Sequence, residues 1–184
     1  MSNPIVKILL PGYVSAESGG HSCSTVTLVQ TDDKNIIVDP GTLSNPQILL
    51  DKLTELNLTP EQIDIVFITH SHPDHYRQIG MFPKAKMLDY WGWWIDDVCE
   101  DYKNELVPNI EIIKTPGHSS DSVTVIVKID KGKIAICGDV FWKENFPVDD
   151  PYASEKDKLT DSRKKIIEIA DWIIPGHGEM FKTK

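Results

Sequence analysis

The stretch Thr69-His70-Ser71-His72-Pro73-Asp74-His75 places three imidazoles and one carboxylate between positions 70 and 75. Imidazole nitrogen and carboxylate oxygen together suit zinc, iron or manganese, and the absence of thiolate neighbours argues against a structural zinc finger. In an extended turn, His70 and His72 point to the same side, while Pro73 bends the chain so that Asp74 and His75 face a second point close by. Two adjacent metal ions are the natural client of such a pattern. A chance polar loop or a purification tag explains it less well, because the run is internal, broken by Pro and Asp, and preceded by the apolar run Ile65-Val66-Phe67-Ile68.

Two further histidines sit in turn sequences after apolar runs: His118 in Thr115-Pro116-Gly117-His118-Ser119 and His177 in Pro175-Gly176-His177-Gly178. Glycine there lets backbone and side chain approach a site closely. Either histidine alone reads as a turn residue; beside the first cluster, both read as ligands. Asp139, in Cys137-Gly138-Asp139, follows the apolar run Ile134-Ala135-Ile136. A carboxylate at the end of a buried strand is costly unless it is paired or metal-bound.

The elements that must position these residues are short strands and few helices. Val26–Gln30 and Ile36–Asp39 flank the polar run 31–35 and predict a hairpin. Asn45 and Pro46 start a helix whose apolar positions Ile48, Leu49, Leu53 and Leu56 recur at helical spacing. A helical turn at Thr59–Gln62 leads into a strand over Ile63–Ile68 that ends directly before the histidine cluster. The second half repeats the plan, with a hairpin of Val123–Val127 and Ile134–Cys137, a helix at about Thr160 to Ala170 and a strand at Trp172–Ile174. This succession predicts two sheets packed face to face with helices outside.

Length and composition narrow the class. At 184 residues, 40% hydrophobic and 26% charged, the chain reads as one domain spanning 1–184, neither disordered nor embedded in a bilayer. Its longest apolar runs cannot span a membrane, and Met1-Ser2-Asn3-Pro4 lacks the basic start and apolar stretch of a signal peptide, so a cytoplasmic location is expected. Cys23, Cys99 and Cys137 form no Cys-x-x-Cys motif and read as reduced, mostly structural residues. A formal charge of −9 offers no general grip on nucleic-acid backbones.

The ordered combination resembles the metallo-β-lactamase fold hydrolase superfamily, whose His-x-His-x-Asp-His signature stands here as His70, His72, Asp74 and His75. The likeness runs from Asp39-Pro40-Gly41 through Gly117-His118 and Gly138-Asp139 to Pro175-Gly176-His177-Gly178. It implies an α/β fold, a four-layer αββα sandwich with the site at one edge of the two sheets. It also implies that His70, His72 and His118 hold one divalent metal ion, that Asp74, His75 and His177 hold another, and that Asp139 bridges them. Zinc is the first candidate, with iron or manganese as alternatives. His21-Ser22-Cys23-Ser24-Thr25, Phe82-Pro83 and the 170–178 ending are similar to the subgroup of metallo-β-lactamase domain-containing protein 1 and its small relatives.

That subgroup has been associated with RNA cleavage, so the resemblance favours single-stranded RNA as substrate, with a small ester, thioester or lactone as the alternative. Secreted zinc β-lactamases put Cys where Asp139 stands, which disfavours antibiotic hydrolysis. Only Glu179 to Lys184 follow the last ligand loop, which disfavours a glutathione-binding helical region. The implied chemistry is hydrolysis by a hydroxide shared between two metals, with Asp74 as ligand and orienting group; coordination lowers the pKa of water from about 16 to about 7. A mononuclear iron dioxygenase and a catalytically silent binding domain are the rivals of other classes. His21, Trp93 and Lys143 are the candidate substrate contacts. Trp93 belongs to the aromatic run Tyr90–Trp94, which offers a stacking lip or, as aromatics more often do, packing.

Overall fold

The computed structural model describes residues 2–14, 19–102 and 105–183. Met1, from the expected leaderless start, and Lys184, from the short ending, lie outside them. Seven strands form the first sheet in the order β1 (Ile5–Leu10), β2 (Val26–Gln30), β3 (Asn35–Val38), β4 (Ile65–Phe67), β5 (Lys86–Leu88), β6 (Trp93–Ile95) and β7 (Val98–Glu100). The second sheet contains β8 (Glu105–Val107), β9 (Ile110–Lys114), β10 (Val123–Ile129), β11 (Gly132–Ile136), β12 (Trp172–Ile174) and β13 (Phe181–Lys182), in reverse spatial order from β13 to β8. The helices are α1 (Gln47–Glu55), the single turn α2 (Pro73–Tyr76) that begins within the histidine run, and α3 (Lys156–Ile169).

Alternation along the strands creates the layers. Ile36, Val38, Ile65 and Phe67 of the first sheet meet Ile112, Val125, Ile134 and Ile136 of the second in one buried cluster between the sheets. Their neighbours point the other way: Ile37 and Val66 pack with Leu49 and Leu53 of α1, while Ile126, Ala135 and Ile173 pack with Leu159 and Ile166 of α3. Each fully buried aliphatic side chain stabilises this stack by about 1.5–3 kcal/mol. The molecule is therefore the four-layer αββα sandwich of the metallo-β-lactamase fold.

Some boundaries differ from those the sequence predicts. The first helix begins after Pro46, and Asn45 Oδ1 accepts the Gln47 N–H at 3.1 Å. The expected strand over Ile63–Ile68 is regular only from Ile65 to Phe67, although Asp64 N–H still donates to Asn35 C=O at 2.9 Å and Ile68 N–H to Leu88 C=O at 2.9 Å. Helix α3 starts a turn earlier than Thr160, at Lys156; Leu159 is its first buried residue, so apolar periodicity marks the start late. Cys23 and Cys137 are buried, Cys99 is exposed, and all three are free thiols. No helix among the described residues is long and apolar enough to cross a membrane.

Candidate metal centre

Strand direction gathers the candidate ligands. β3 and β4 run parallel, as do β11 and β12, so both pairs send their C-terminal ends to the same edge of the sandwich. Asp39 follows β3, the histidine run follows β4, Asp139 follows β11 and His177 follows β12. His118 arrives in the turn between β9 and β10. The edge is stapled across the sheets: Val123 N–H donates to Thr69 C=O at 2.9 Å and Thr25 N–H to Gly176 C=O at 2.6 Å. Gly176 is required because a Cβ there would collide with Asp139 Oδ1.

Hydrogen bonds fix which way each ring faces. Thr69 Oγ1 donates to Asp39 Oδ2 at 2.7 Å and thereby keeps a lone pair to accept His70 Nδ1–H at 3.1 Å. His75 Nδ1 donates to Asp39 Oδ2 at 2.8 Å, His118 Nδ1 to Asp150 Oδ2 at 2.7 Å and His177 Nδ1 to Cys23 C=O at 3.0 Å. With Nδ1 engaged in all four rings, the Nε2 lone pairs converge on one volume, as in carboxylate–histidine–metal arrangements. His72 presents Nδ1 instead, 3.0 Å from His70 Nε2 and 3.1 Å from His118 Nε2.

Asp139 stands between two sets of donors. Its Oδ2 lies 3.4 Å from His118 Nε2 and 3.2 Å from His177 Nε2, and its Oδ1 lies 3.2 Å from His75 Nε2. Asp74 Oδ2 is 3.7 Å from His177 Nε2 and accepts the Ser22 Oγ–H at 2.6 Å. The donors fall into two groups, His70–His72–His118–Asp139 and Asp74–His75–His177, with ligand atoms in each within 4.8 Å of one another. All seven residues singled out in the sequence thus meet at one place.

The arrangement fits divalent cations. Ligand atoms at 2.0–2.1 Å around a tetrahedral ion sit roughly 3.3 Å apart, close to the observed separations. His75 Nε2 and Asp139 Oδ1 are buried without a hydrogen-bond partner, which is costly for groups of this polarity unless a cation faces them. Electrostatics says the same. Burial pushes His70 far down, assisted by the neighbouring His75, and burial with His118 pushes His72 down. Burial also opposes charge on His75 and His177, but Asp139, joined at His75 by Asp39, outweighs it and raises both. Asp139 would be raised by its burial, yet His177 and His75 hold it well below the carboxylate range. The pocket therefore calls for positive charge, supplied by protons when nothing else is present.

The other expected contacts are dispersed. Trp93 lies in β6, half-buried against the cluster between the sheets, and lines a separate cavity of about 600 Å³ with Lys34, Ile65 and Leu106. Lys143 lines a pocket with His177, Gly178 and Glu179, adjacent to the centre. His21 is exposed in the loop preceding Ser22, whose hydroxyl holds Asp74. The cleft over the donors, about 660 Å³, is instead bordered by Val14, Ser22, Thr42, Trp142 and Tyr152. Trp142 stacks on Tyr152 with ring centroids 5.8 Å apart and lies edge-on to His118 and His177.

In the sequence Asp39 stands only as a strand end and the start of the Asp39-Pro40-Gly41 stretch, with no role at the site, and Asp150, Trp142, Tyr152 and Ser22 have none either. Asp39 and Asp150 share one local feature, standing directly before proline in Asp39-Pro40 and Asp150-Pro151.

Two mixed sheets face to face, with a histidine and aspartate cluster at their common edge, define the metallo-β-lactamase class of folds. A family model described as the metallo-beta-lactamase superfamily matches residues 22–91. Metallo-beta-lactamase domain-containing protein 1 of Xenopus laevis is 30% identical over 191 residues, covering 97% of this chain and 81% of that protein. A Methanocaldococcus jannaschii protein named as a metallo-hydrolase is 35% identical over 187 residues, covering 98% and 90%. The chain belongs to the metallo-beta-lactamase superfamily. Among solved structures, a Thermotoga maritima protein described as a metallo-beta-lactamase superposes with a TM-score of 0.77 at 22% identity, covering 98% of this chain and 99% of the other. The dizinc quorum-quenching lactonase AidC superposes with a TM-score of 0.65 at 17% identity, covering 96% and 85%.

Proposed function

We propose that the protein is a metal-dependent hydrolase that holds two divalent cations, one on His70, His72 and His118 and one on Asp74, His75 and His177, with Asp139 shared. The observation that carries this is the convergence of five imidazole nitrogens and the carboxylates of Asp74 and Asp139 on one volume, in which His75 Nε2 and Asp139 Oδ1 are buried without a hydrogen-bond partner. The second donor group favours two ions over the single iron of a dioxygenase. Nitrogen and oxygen donors without thiolate suit zinc first, then iron or manganese. Bound there, the ions would lower the pKa of water and polarise the scissile carbonyl or phosphoryl oxygen.

The residues divide the remaining work. Asp39, Asp150 and the Cys23 carbonyl hold three rings by Nδ1 and so keep their Nε2 atoms aimed. Asp74, 25% exposed while Asp139 is buried, lines the cleft and is the carboxylate placed to orient water there. Buried Trp142 and exposed Tyr152 stack as a flat wall along one side of the cleft.

For the substrate, the cleft favours a small ester, thioester or lactone over RNA. Its described lining carries Asp74 and Asp139 but no Lys or Arg, whereas a phosphodiester strand is gripped by cations. That AidC is a lactonase of the same fold is in keeping with this choice. The test is zinc-loaded and metal-free protein assayed on aryl ester, thioester, lactone and labelled single-stranded RNA, beside Asp139→Ala prepared identically. Acyl turnover that needs metal and Asp139 is expected. RNA cleavage that needs both, with no acyl turnover, would replace the acyl substrate by RNA; no metal-dependent turnover of any of them would remove the hydrolase reading.

A further inference from the structure

Asp150 is a buried carboxylate in the connection between the Asp139 turn and α3, outside both donor groups. Its two oxygens serve two different parts of the molecule. Oδ2 accepts His118 Nδ1–H at 2.7 Å, and Oδ1 accepts the backbone N–H of Tyr152 at 2.9 Å. The same connection is fastened to the His118 turn by Ser154 N–H donating to His118 C=O at 3.0 Å and Glu155 N–H donating to Gly117 C=O at 2.9 Å. Tyr152 in turn stacks on Trp142, so one carboxylate joins a ring of the donor cluster to the aromatic wall of the cleft.

We infer that Asp150 is a positioning residue: it sets the tautomer and direction of His118 and fixes the Tyr152 wall relative to the metal centre. The inference rests on the two-metal reading above. Without Asp150, the His118 ring can turn about its side-chain bonds, and its Nδ1–H loses the acceptor that fixes its direction. The first donor group would then keep only His70, His72 and a share of Asp139. Asn at this position cannot serve both partners. Its carbonyl satisfies one N–H, while its NH2 group opposes the other donor.

The experiment is zinc titration with chelator competition on wild type, Asp150→Asn and Asp150→Ala, each paired with thermal midpoints of the metal-free forms. Wild type is expected to take two zinc ions. Asp150→Asn should weaken one of them by about 10–100-fold and leave the other within about threefold. Asp150→Ala should weaken that same ion further. A lowered metal-free midpoint with both zinc affinities unchanged would assign Asp150 to folding alone and overturn the inference. Wild type that takes no zinc would overturn the two-metal reading and the inference with it. A second measurement needs no stable Asp150 variant. In zinc-loaded wild type with labelled imidazoles, one ring, assigned through His118→Gln, should show a downfield, exchange-protected Nδ1 proton. A His118 ring protonated on Nε2, or lacking that protected proton, would overturn the inference.

Discussion

The two donor groups share one edge of the sandwich but rest on opposite electrostatics. His70 and His72 are pushed below the ordinary imidazole value, by burial and by neighbouring histidines, and keep open lone pairs. His75 and His177 are raised above it by Asp139, despite their burial, and so keep their protons to higher pH when no metal is present. The difference lies in where carboxylates stand. His70 leans on the Thr69 hydroxyl, whereas His75 lies between Asp39 and Asp139. A cation entering the first group displaces little, and one entering the second must expel protons that already offset the charge of Asp139.

Asp139→Ala should break the comparison outright. The carboxylate touches both groups, so its removal takes a ligand from each and also removes what raises His75 and His177. Turnover should fall by more than about 100-fold, beyond the 10–100-fold usual for losing a partner of a ligand. Metal analysis and steady-state kinetics check this. Two ions retained with turnover down less than tenfold would contradict a shared role.

Acidity should separate the groups next. For each proton expelled from His75 and His177, apparent metal affinity of the second group should climb by up to about tenfold per pH unit until the raised values are passed. The first group should level off at lower pH, because burial holds His70 and His72 below the ordinary imidazole value. Stability carries the opposite sign in the metal-free protein. An imidazole raised by folding contributes fully below its unfolded value of about 6.5, and that contribution is lost as pH rises through the raised value. Asp139, held low, contributes above about 3.8 and loses its contribution as pH falls through the lowered value. Thermal midpoints across pH, with and without zinc, should therefore diverge on the alkaline side. Parallel curves would remove the distinction between the groups.

Asp39→Asn should weaken the second group most, by about 10–100-fold in metal affinity, because Asp39 Oδ2 accepts His75 Nδ1–H directly, and the first group less, because Asp39 reaches His70 only through Thr69 Oγ1. Paired with Asp150→Asn, it asks whether each carboxylate serves mainly one group. Zinc titration of both variants answers, and equal weakening of both ions by either variant would show that the groups act as a unit.

The sequence made the ligands legible because metal chemistry restricts residue type, and six histidines in 184 residues are few enough for a clustered set to stand out. The layers were legible through strand alternation, as in Ile36-Ile37-Val38, whose middle residue faces α1 while its neighbours face the second sheet. What orients the ligands was not. Asp39, Asp150 and the Cys23 carbonyl act across 36, 32 and 154 positions of chain, and no local pattern reports a partner brought in by tertiary packing. The aromatic wall was not legible for the same reason. The run Tyr90–Trp94 is conspicuous in sequence, yet the wall of the cleft is built from the separated Trp142 and Tyr152.

Trp93→Leu gives the smallest expected effect and sharpens the comparison between the two ends of the sandwich. Trp93 pairs with Leu88 and Glu100 in the first sheet and packs partly buried against the inter-sheet cluster. The cavity it lines is also bordered by Asp64, Ile65 and Lys86, which stand at or before the starts of β4 and β5, whereas the donors follow the end of β4. A substrate seated over the donors would not meet this indole. The substitution should therefore cost about 0.5–3 kcal/mol of stability through lost packing and leave turnover of the metal-loaded protein within about twofold. Denaturant unfolding and kinetics at fixed metal loading measure the two effects separately. A rise in KM of tenfold or more with stability unchanged would place substrate at the far end of the sandwich and restore Trp93 as a contact.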